Sequence, residues 1–177
     1  NIDDFGILFE EDFEAYANFD QISGNWTNYI EEGSRDWIAR TTTDTGNPGS
    51  RIAQISAYNS GDASTVSWLI TPQIDLDAQE FEFFDFESSN SFSDGSELEL
   101  LISTDWDGTD ASVSSATWTS LPGTIVPDAT YYKDWIYSGL VDLSPYSGNA
   151  HIAFKYTANS GNTGTYEIDN VKVLVQN

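Results

Sequence analysis

The stretch "ELELLISTDWDG", residues 97–108, combines the two signals that decide the fold. Leu98, Leu100 and Ile102 stand at every second position, so in an extended chain their side chains share one face. That period is typical of a half-buried antiparallel strand. The polar run that follows is rich in Asp and reaches Gly108, which is typical of a turn. The stretch therefore predicts a strand that ends in a tight turn.

The same pattern recurs along the chain, without a sustained helical period. In "HIAFKY", residues 151–156, Ile152, Phe154 and Tyr156 also share one face. In "EFEFFDFE", residues 80–87, the apolar phase changes between Phe83 and Phe84, which predicts a bulge or burial on both faces. Further runs are "GILFEEDFE" (6–14), "RIAQISAY" (51–58), "VSWLITP" (66–72), "TWTSL" (117–121), "WIYSGLVDL" (135–143) and "YEIDNVKVLV" (166–175).

About nine or ten short strands separated by turn residues predict an all-β fold, an antiparallel β-sandwich of the jelly-roll type. We see no internal repeat and no linker, so we expect residues 1–177 to form one domain.

The chain has 6 basic and 29 acidic residues, for a formal net charge of −23. This charge repels phosphate backbones, anionic membranes and sulfated or uronate-rich polymers, and we expect no nucleic-acid partner. It favours cations and neutral ligands, although an acidic surface also keeps proteins soluble in salt. Cysteine is absent, so disulfides and thiolate chemistry are excluded. Since no apolar run reaches membrane-spanning length, we expect no direct membrane insertion. We also expect a monomeric domain.

Five segments in order resemble one family: "LFEEDFE" (8–14), "SWLITPQIDLD" (67–77), "LISTDWDG" (101–108), "SGLVDLSPYSGNAHIAFKY" (138–156) and "YEIDNVKV" (166–173). Together they resemble the cleaved-adhesin, or choice-of-anchor J, jelly-roll domains of Bacteroidetes. In outline they are also similar to MAM domains and jelly-roll carbohydrate-binding modules. The resemblance implies a non-catalytic binding domain, excised from a larger secreted or outer-membrane cell-surface protein. It also implies a structural calcium ion.

Asp169 is the basis of the calcium prediction. In a regular strand it shares a face with the three valines that follow it, so it would point inward if those valines line the core. A buried carboxylate needs a partner, and Ca²⁺ fits because basic residues are scarce. The resemblance implies that Glu14 of "DFE" (12–14) and Asp36 of "RDW" (35–37) are further ligands. The alternative is that Asp169 caps a backbone bend or meets an arginine.

The motif "EIDNVK", residues 167–172, also resembles the Glu-x-Asp-x-x-Glu strand of a family of β-glucan hydrolases. In that family the first Glu attacks the sugar and the last acts as acid and base. Lys172 occupies the acid/base position, so an essential carboxylate is missing. His151, the one histidine, has no readable catalytic partners. We therefore expect that the protein is not an enzyme.

The aromatic content is high, with 6 Trp, 9 Tyr and 10 Phe. Because sugar rings stack on indole and phenol rings, surplus aromatics in polar stretches predict a glycan site. The candidates are the aromatics that the family pattern does not explain: Trp106, Trp135, Tyr131, Tyr132, Tyr58 and Tyr29. The alternative is that they pack in the core. For Trp106, the question is whether its indole forms a sugar platform or folds back on the sheet.

These features predict a non-catalytic carbohydrate-binding module for a neutral polysaccharide, with β-1,3-glucan (laminarin) as the first candidate. Such a module would belong to a surface glycan-binding protein or a secreted glycan-degrading enzyme, in polysaccharide utilisation. The competing hypothesis is a protein-adhesion or structural spacer module of a surface adhesin, in which the aromatics are packed inside and no glycan binds.

Overall fold

The computed structural model describes residues 4–43, 47–92, 95–127 and 135–177, which fold into two antiparallel sheets. Within these residues, seven strands form one sheet: β1 (Phe5–Glu11), β3 (Ile38–Thr41), β4 (Arg51–Ser56), β7 (Glu82–Ser91), β10 (Ile136–Tyr137), β11 (Val141–Asp142) and β13 (Thr165–Gln176). Six form the other: β2 (Thr27–Glu32), β5 (Ser64–Ile70), β6 (Ile74–Asp75), β8 (Glu97–Ser103), β9 (Thr119–Ser120) and β12 (Asn149–Asn159).

The strand order brings distant parts of the chain together. The path through the seven-stranded sheet is β10-β7-β13-β4-β3, with β1 on β13 and β11 on β7. The path through the six-stranded sheet is β2-β5-β12-β8-β9, with β6 on β12. Two antiparallel sheets with such non-sequential neighbours are the architecture of a jelly-roll sandwich, which confirms the predicted fold class.

Apolar side chains from both sheets form the core between them. The rings of Phe84 and Phe86 in β7 lie 6.1 and 5.0 Å from the ring of Phe154 in β12. Trp37, just before β3, is fully buried against the same Phe154 ring. The faces predicted from the period of two all lie in this core, namely Leu98, Leu100, Ile102, Ile152, Phe154 and Tyr156.

One extra residue in β13 changes its register. Asp169 pairs with Glu87, whereas Lys172 pairs with Asp85, so three steps along β13 match two steps along β7. Asn170 lies within this irregularity and has a positive φ of 50°. The extra residue is a β-bulge, which reverses the alternation of side chains that follow it.

The bulge corrects the predicted orientation of Asp169. Ile168 and Val171 both belong to the core, so Asp169 lies on the opposite face of the sheet. The prediction that Asp169 shares a face with the following valines is wrong because β13 is not regular. The phase change in "EFEFFDFE" predicts a bulge or burial on both faces, and burial on both faces is what the structure shows. In β7, Phe84 is buried inside and Asp85 is buried on the outer face.

Residues 104–118, which we call the strap, cover the outer face of the six-stranded sheet. The strap contains a 3₁₀ helix, Asp110–Ser115. Val113 of this helix is fully buried in a second apolar cluster that includes Trp68, Trp106 and Ala153. The strap therefore covers part of the six-stranded sheet on this side.

Sequence analysis missed β2 and β3, which are half-buried along most of their length and show no clean alternation. No helix of sufficient length and apolarity to cross a membrane occurs within the described ranges.

Candidate functional site

A groove of about 440 Å³ lies on the outer face of the seven-stranded sheet. Its lining comes from β3, β4, β13 and the end of β7, from the segments beside β3, and from the residues that follow β4 and β7. On the other sheet, a smaller groove of about 360 Å³ lies beside the strap, next to Trp68, Trp118 and Lys155.

Strand pairing sets polar side chains side by side on the floor of the groove. Gln54 pairs with Glu167 on one side and with the apolar Ile38 on the other, so the row crosses three strands that line the groove. Paired residues of antiparallel strands point to the same face. A second polar row lies beside the first: Ser56, Thr165 and Ser91. The floor thus offers amide, carboxylate and hydroxyl groups for hydrogen bonds.

Two aromatic rings stand at one end of the groove. Tyr58 follows β4 and Phe92 follows β7; their rings stack with centroids 6.3 Å apart and planes 9° apart. Tyr58 is 65% exposed and Phe92 is 50% exposed. Phe92 has a φ of 58°, which is rare for a bulky residue. A strained backbone that holds an exposed ring beside a groove is typical of a ligand-contacting position.

The β3 side of the groove carries positive charge. Arg35 Nη2 donates to the backbone oxygen of Tyr58 at 3.0 Å, and the Arg40 guanidinium lies 4.4 Å from the centroid of the Phe19 ring. Both arginines line the groove, together with the carboxylates of Asp36 and Glu167. The groove therefore combines flat apolar surface, hydrogen-bonding groups and charges of both signs.

Trp135 lies on the same outer face as the groove. Tyr137 in β10 points to this face, where its hydroxyl donates to Asp85 Oδ2 at 2.8 Å. Burial and this hydrogen bond raise the pKa of Tyr137 to about 12. Alternation places Trp135, two residues earlier, on the same face. Its Nε1 is buried and has no hydrogen-bond partner among the described residues.

The six predicted glycan-binding aromatics do not form one group. Tyr58 lines the groove, and Trp135 lies on the same sheet face. Tyr131 and Tyr132 lie outside the described residues. Tyr29 in β2 pairs with Trp68 and packs against the second apolar cluster, on the opposite side of the sandwich from the groove.

Of the two alternatives for Trp106, a candidate glycan-binding residue, the structure shows the second: the indole folds back on the six-stranded sheet. It is 7% exposed, and its Nε1 donates to the backbone oxygen of Thr109 at 2.9 Å. Its ring centroid lies 4.6 Å from that of His151 and 6.1 Å from that of Trp118. Trp106 therefore holds the strap in place and presents no face for stacking.

The structure brings two of the three predicted calcium ligands together. Ser50 Oγ lies 2.8 Å from Glu14 Oε1 and 3.2 Å from Asp169 Oδ2. Asn47 Nδ2 donates at 3.3 Å to both Asp169 Oδ2 and Glu87 Oε2. Burial, with the nearby charges of Glu87 and Glu14, raises the pKa of Asp169 to about 7. We call Glu14, Glu87 and Asp169 the carboxylate cluster.

Asp36 is not part of this cluster, which corrects the predicted ligand set. Arg51, whose amide donates to Glu14, pairs with Thr41 at the end of β3, whereas Asp36 precedes the start of that strand. Asp36 instead accepts a hydrogen bond from Gln21 at 2.7 Å and lines the groove. Across the described ranges, no three acidic, His or Cys side chains are gathered closely enough to hold a metal ion as they stand.

Sequence analysis missed Phe92 and Arg40. Phe92 stands in a Ser-rich run without alternation, so only its contact with Tyr58 identifies it. Arg40 carried a usable signal: the chain has three arginines, all between residues 35 and 51, in one short part of a strongly acidic sequence.

No protein-family model matches the sequence, and no curated protein matches it either. Solved structures do match. The K1 cleaved adhesin domain of Lys-gingipain from Porphyromonas gingivalis W83 superposes with a TM-score of 0.63 at 15% identity, covering 96% of this chain and 98% of that one.

Carbohydrate-binding modules match as well. The C-terminal family 22 module of Clostridium thermocellum Xyn10B has a TM-score of 0.57 at 14% identity, covering 97% of this chain and 95% of that one. TmCBM61, solved in complex with β-1,4-galactotriose, has a TM-score of 0.50 at 13% identity, covering 84% and 86%. At these identities the likeness shows the fold alone. The chain has the jelly-roll fold of the cleaved-adhesin domains, as the sequence resemblance implied.

Proposed function

We propose that this protein is a non-catalytic carbohydrate-binding module whose groove on the seven-stranded sheet holds a polysaccharide chain. The observation that carries the proposal is the stacked, exposed Tyr58–Phe92 pair at the end of a polar groove. Exposed rings provide an apolar face for a pyranose ring, and Gln54 and Thr165 on the floor offer partners for its hydroxyl groups.

The size of the groove supports a chain ligand. From β3 to β7 there are three strand spacings of about 4.8 Å, or about 14 Å, which suits a short oligosaccharide. Structures of the same fold include a module solved with a galactotriose and others named as xylan-binding domains. Laminarin, the sequence-based candidate, belongs in the same test panel as galactan and xylan. A secreted or cell-surface location fits such a ligand.

The competing proposal is a protein-adhesion module. It is favoured by the Lys-gingipain adhesin domain, which this chain matches over almost its whole length. Under this proposal the exposed pair of rings contacts a protein and no polysaccharide binds.

Affinity gel electrophoresis against laminarin, galactan and xylan separates the two proposals. We expect retardation by at least one polysaccharide, and loss of at least tenfold in affinity on changing Tyr58 and Phe92 together to Ala. Phe81→Ala is the matched control, because Phe81 is 60% exposed but does not line the groove. Binding to no glycan, or equal loss in the control, contradicts the carbohydrate proposal.

We also propose that the carboxylate cluster holds the structural calcium ion that the fold family implies. The cluster fits the ion's chemistry: its groups are hard oxygen donors, and Asp169 is a nearly buried carboxylate with no described basic side chain bonded to it. Glu14, Glu87 and Asp169 would hold the ion. Its role would be to stabilise the fold, without a part in ligand chemistry.

A further inference from the structure

We propose that the β3 side of the groove, at Arg40, is a subsite for an anionic substituent on the bound glycan. The inference rests on the proposed carbohydrate function and adds a charge to its ligand. It opposes the expectation from net charge, which disfavours uronate-rich and sulfated polymers.

The arginines of the chain are concentrated at the groove. The chain has three, and two of them, Arg35 and Arg40, line the groove. In the described part of the chain, the Arg40 guanidinium contacts the Phe19 ring and Arg51 bonds to the Thr41 hydroxyl, both uncharged partners. Arg35 donates to a backbone carbonyl, and the pKa of Asp62 is lowered by hydrogen bonds and also by the charge of Arg35. In a chain with 29 acidic residues, the uncharged partner of Arg40 leaves its charge available to a ligand.

Phe19 determines how Arg40 is placed beside β3. Phe19 is 63% exposed, has a positive φ of 76°, and is tied by its amide to the backbone oxygen of Ala39 at 2.7 Å. Its backbone is therefore held beside β3, and the Arg40 guanidinium lies over its ring. A guanidinium stacked on a ring is preorganised and can still present planar N–H donors to a carboxylate or sulfate.

The two carboxylates that line the groove, Asp36 and Glu167, belong to residues whose backbone lies well away from that of Arg40. Asp36 lies four residues from Arg40, about 13 Å along an extended strand. Glu167 is two strands and two residues away, about 12 Å. Among the described residues the Arg40 guanidinium contacts the Phe19 ring and no carboxylate, so its charge is available to an anionic ligand.

Matched ligand pairs test the subsite. One pair is polygalacturonate and the same polymer with its carboxylates methyl-esterified; the other is a sulfated galactan and its desulfated form. We expect the charged member of one pair to bind at least tenfold more tightly than its uncharged form. The pair that shows the preference identifies the anion as a carboxylate or a sulfate ester.

Variants then assign the preference to Arg40. Arg40→Gln should abolish the preference for the charged form, and Arg40→Lys should restore part of it, because the charge returns without the planar donors. Lys155→Gln is the matched control, since it removes the same charge from the opposite sheet and should leave the preference unchanged. Melting temperatures of all variants establish that they fold.

Three outcomes overturn the inference. Equal binding of charged and uncharged forms overturns it while leaving the carbohydrate function in place. A preference that Arg40→Gln and Lys155→Gln lower equally assigns it to net charge rather than to this subsite. Binding of poly-glutamate with no binding of any glycan overturns both the inference and the proposed function, and favours a protein partner.

Discussion

At the residue scale, His151 shows how burial on the strap side of the sandwich changes the pKa of a side chain. Its ring meets the Trp106 indole edge to face, with centroids 4.6 Å apart and planes at 79°. Burial lowers the pKa of His151 below its ordinary value. The neutral imidazole is therefore the form that the fold accommodates.

We predict that His151 makes the fold less stable in mild acid. Between the ordinary pKa of about 6.5 and the lower pKa of the folded state, the unfolded chain binds more protons, so stability rises with pH. As pH falls below about 6.5, stability should be lost. The measurement is the urea midpoint of the wild type and of His151→Gln from pH 7.5 to 5. A difference between the two proteins that stays constant with pH contradicts the prediction.

At the element scale, the strap is held by buried apolar side chains, Val113 and Trp106, and by a set of short polar contacts. Val113 is fully buried in the second cluster, and Trp118 Nε1 donates to its backbone oxygen at 2.9 Å. Asp107 accepts hydrogen bonds from Thr109 and Ser112, which lower the pKa of Asp107 to about 2, the Ser112 contact most strongly. The polar contacts set the local turn, whereas Val113, together with Trp106, attaches the strap to the sheet.

We predict that Val113→Ala weakens the strap without affecting the groove. Removing buried apolar volume here should cost about 1–2 kcal/mol of unfolding free energy. Hydrogen exchange should rise in residues 104–118, while glycan binding stays unchanged because the groove is on the other sheet. Ser115→Ala, an exposed position in the same helix, is the control. Loss of glycan binding in Val113→Ala would show that the strap takes part in the ligand site.

At the scale of the whole molecule, sequence patterns predict what depends on alternation alone. The core faces of β8 and β12 follow from Leu98 to Ile102 and from Ile152 to Tyr156, because both strands are regular. The side on which Asp169 lies does not follow, since the bulge beside it exists only in the pairing of β13 with β7. The burial of Trp106 cannot be predicted from the sequence for a similar reason: it depends on a strap whose packing partners are distant in sequence.

The residues of the groove also divide into features that the sequence can predict and features that only the structure shows. Tyr58 could be selected as an aromatic in a polar run, but Phe92 becomes meaningful only when β4 and β7 place the two rings side by side. Arg40 could be singled out by the scarcity of arginine, but its role depends on contact with Phe19, which is 21 residues earlier in the chain. Strands with a clean alternation can thus be predicted from local sequence, whereas the groove is formed by the pairing of strands that are distant in sequence.

The carboxylate cluster joins parts of the molecule that are far apart in sequence. Glu14 follows β1, Glu87 lies in β7 and Asp169 lies in β13, with Ser50 and Asn47 between them. An ion held there would link the first and last strands of the seven-stranded sheet. Its effect should therefore appear in the stability of the entire domain rather than in one loop.

We predict that calcium raises the melting temperature and that a chelator lowers it. A ligand at a hundredfold excess over its Kd adds about 2.7 kcal/mol of stability. In a domain of this size that is a shift of about 5–10 °C, measurable by differential scanning fluorimetry. Asp169→Asn should remove the shift, whereas Asp36→Asn should retain it, because Asp36 lies in the groove and accepts its hydrogen bond from Gln21. The reverse pattern would place the ion at Asp36, and an unchanged melting curve under chelation would exclude a stabilising ion.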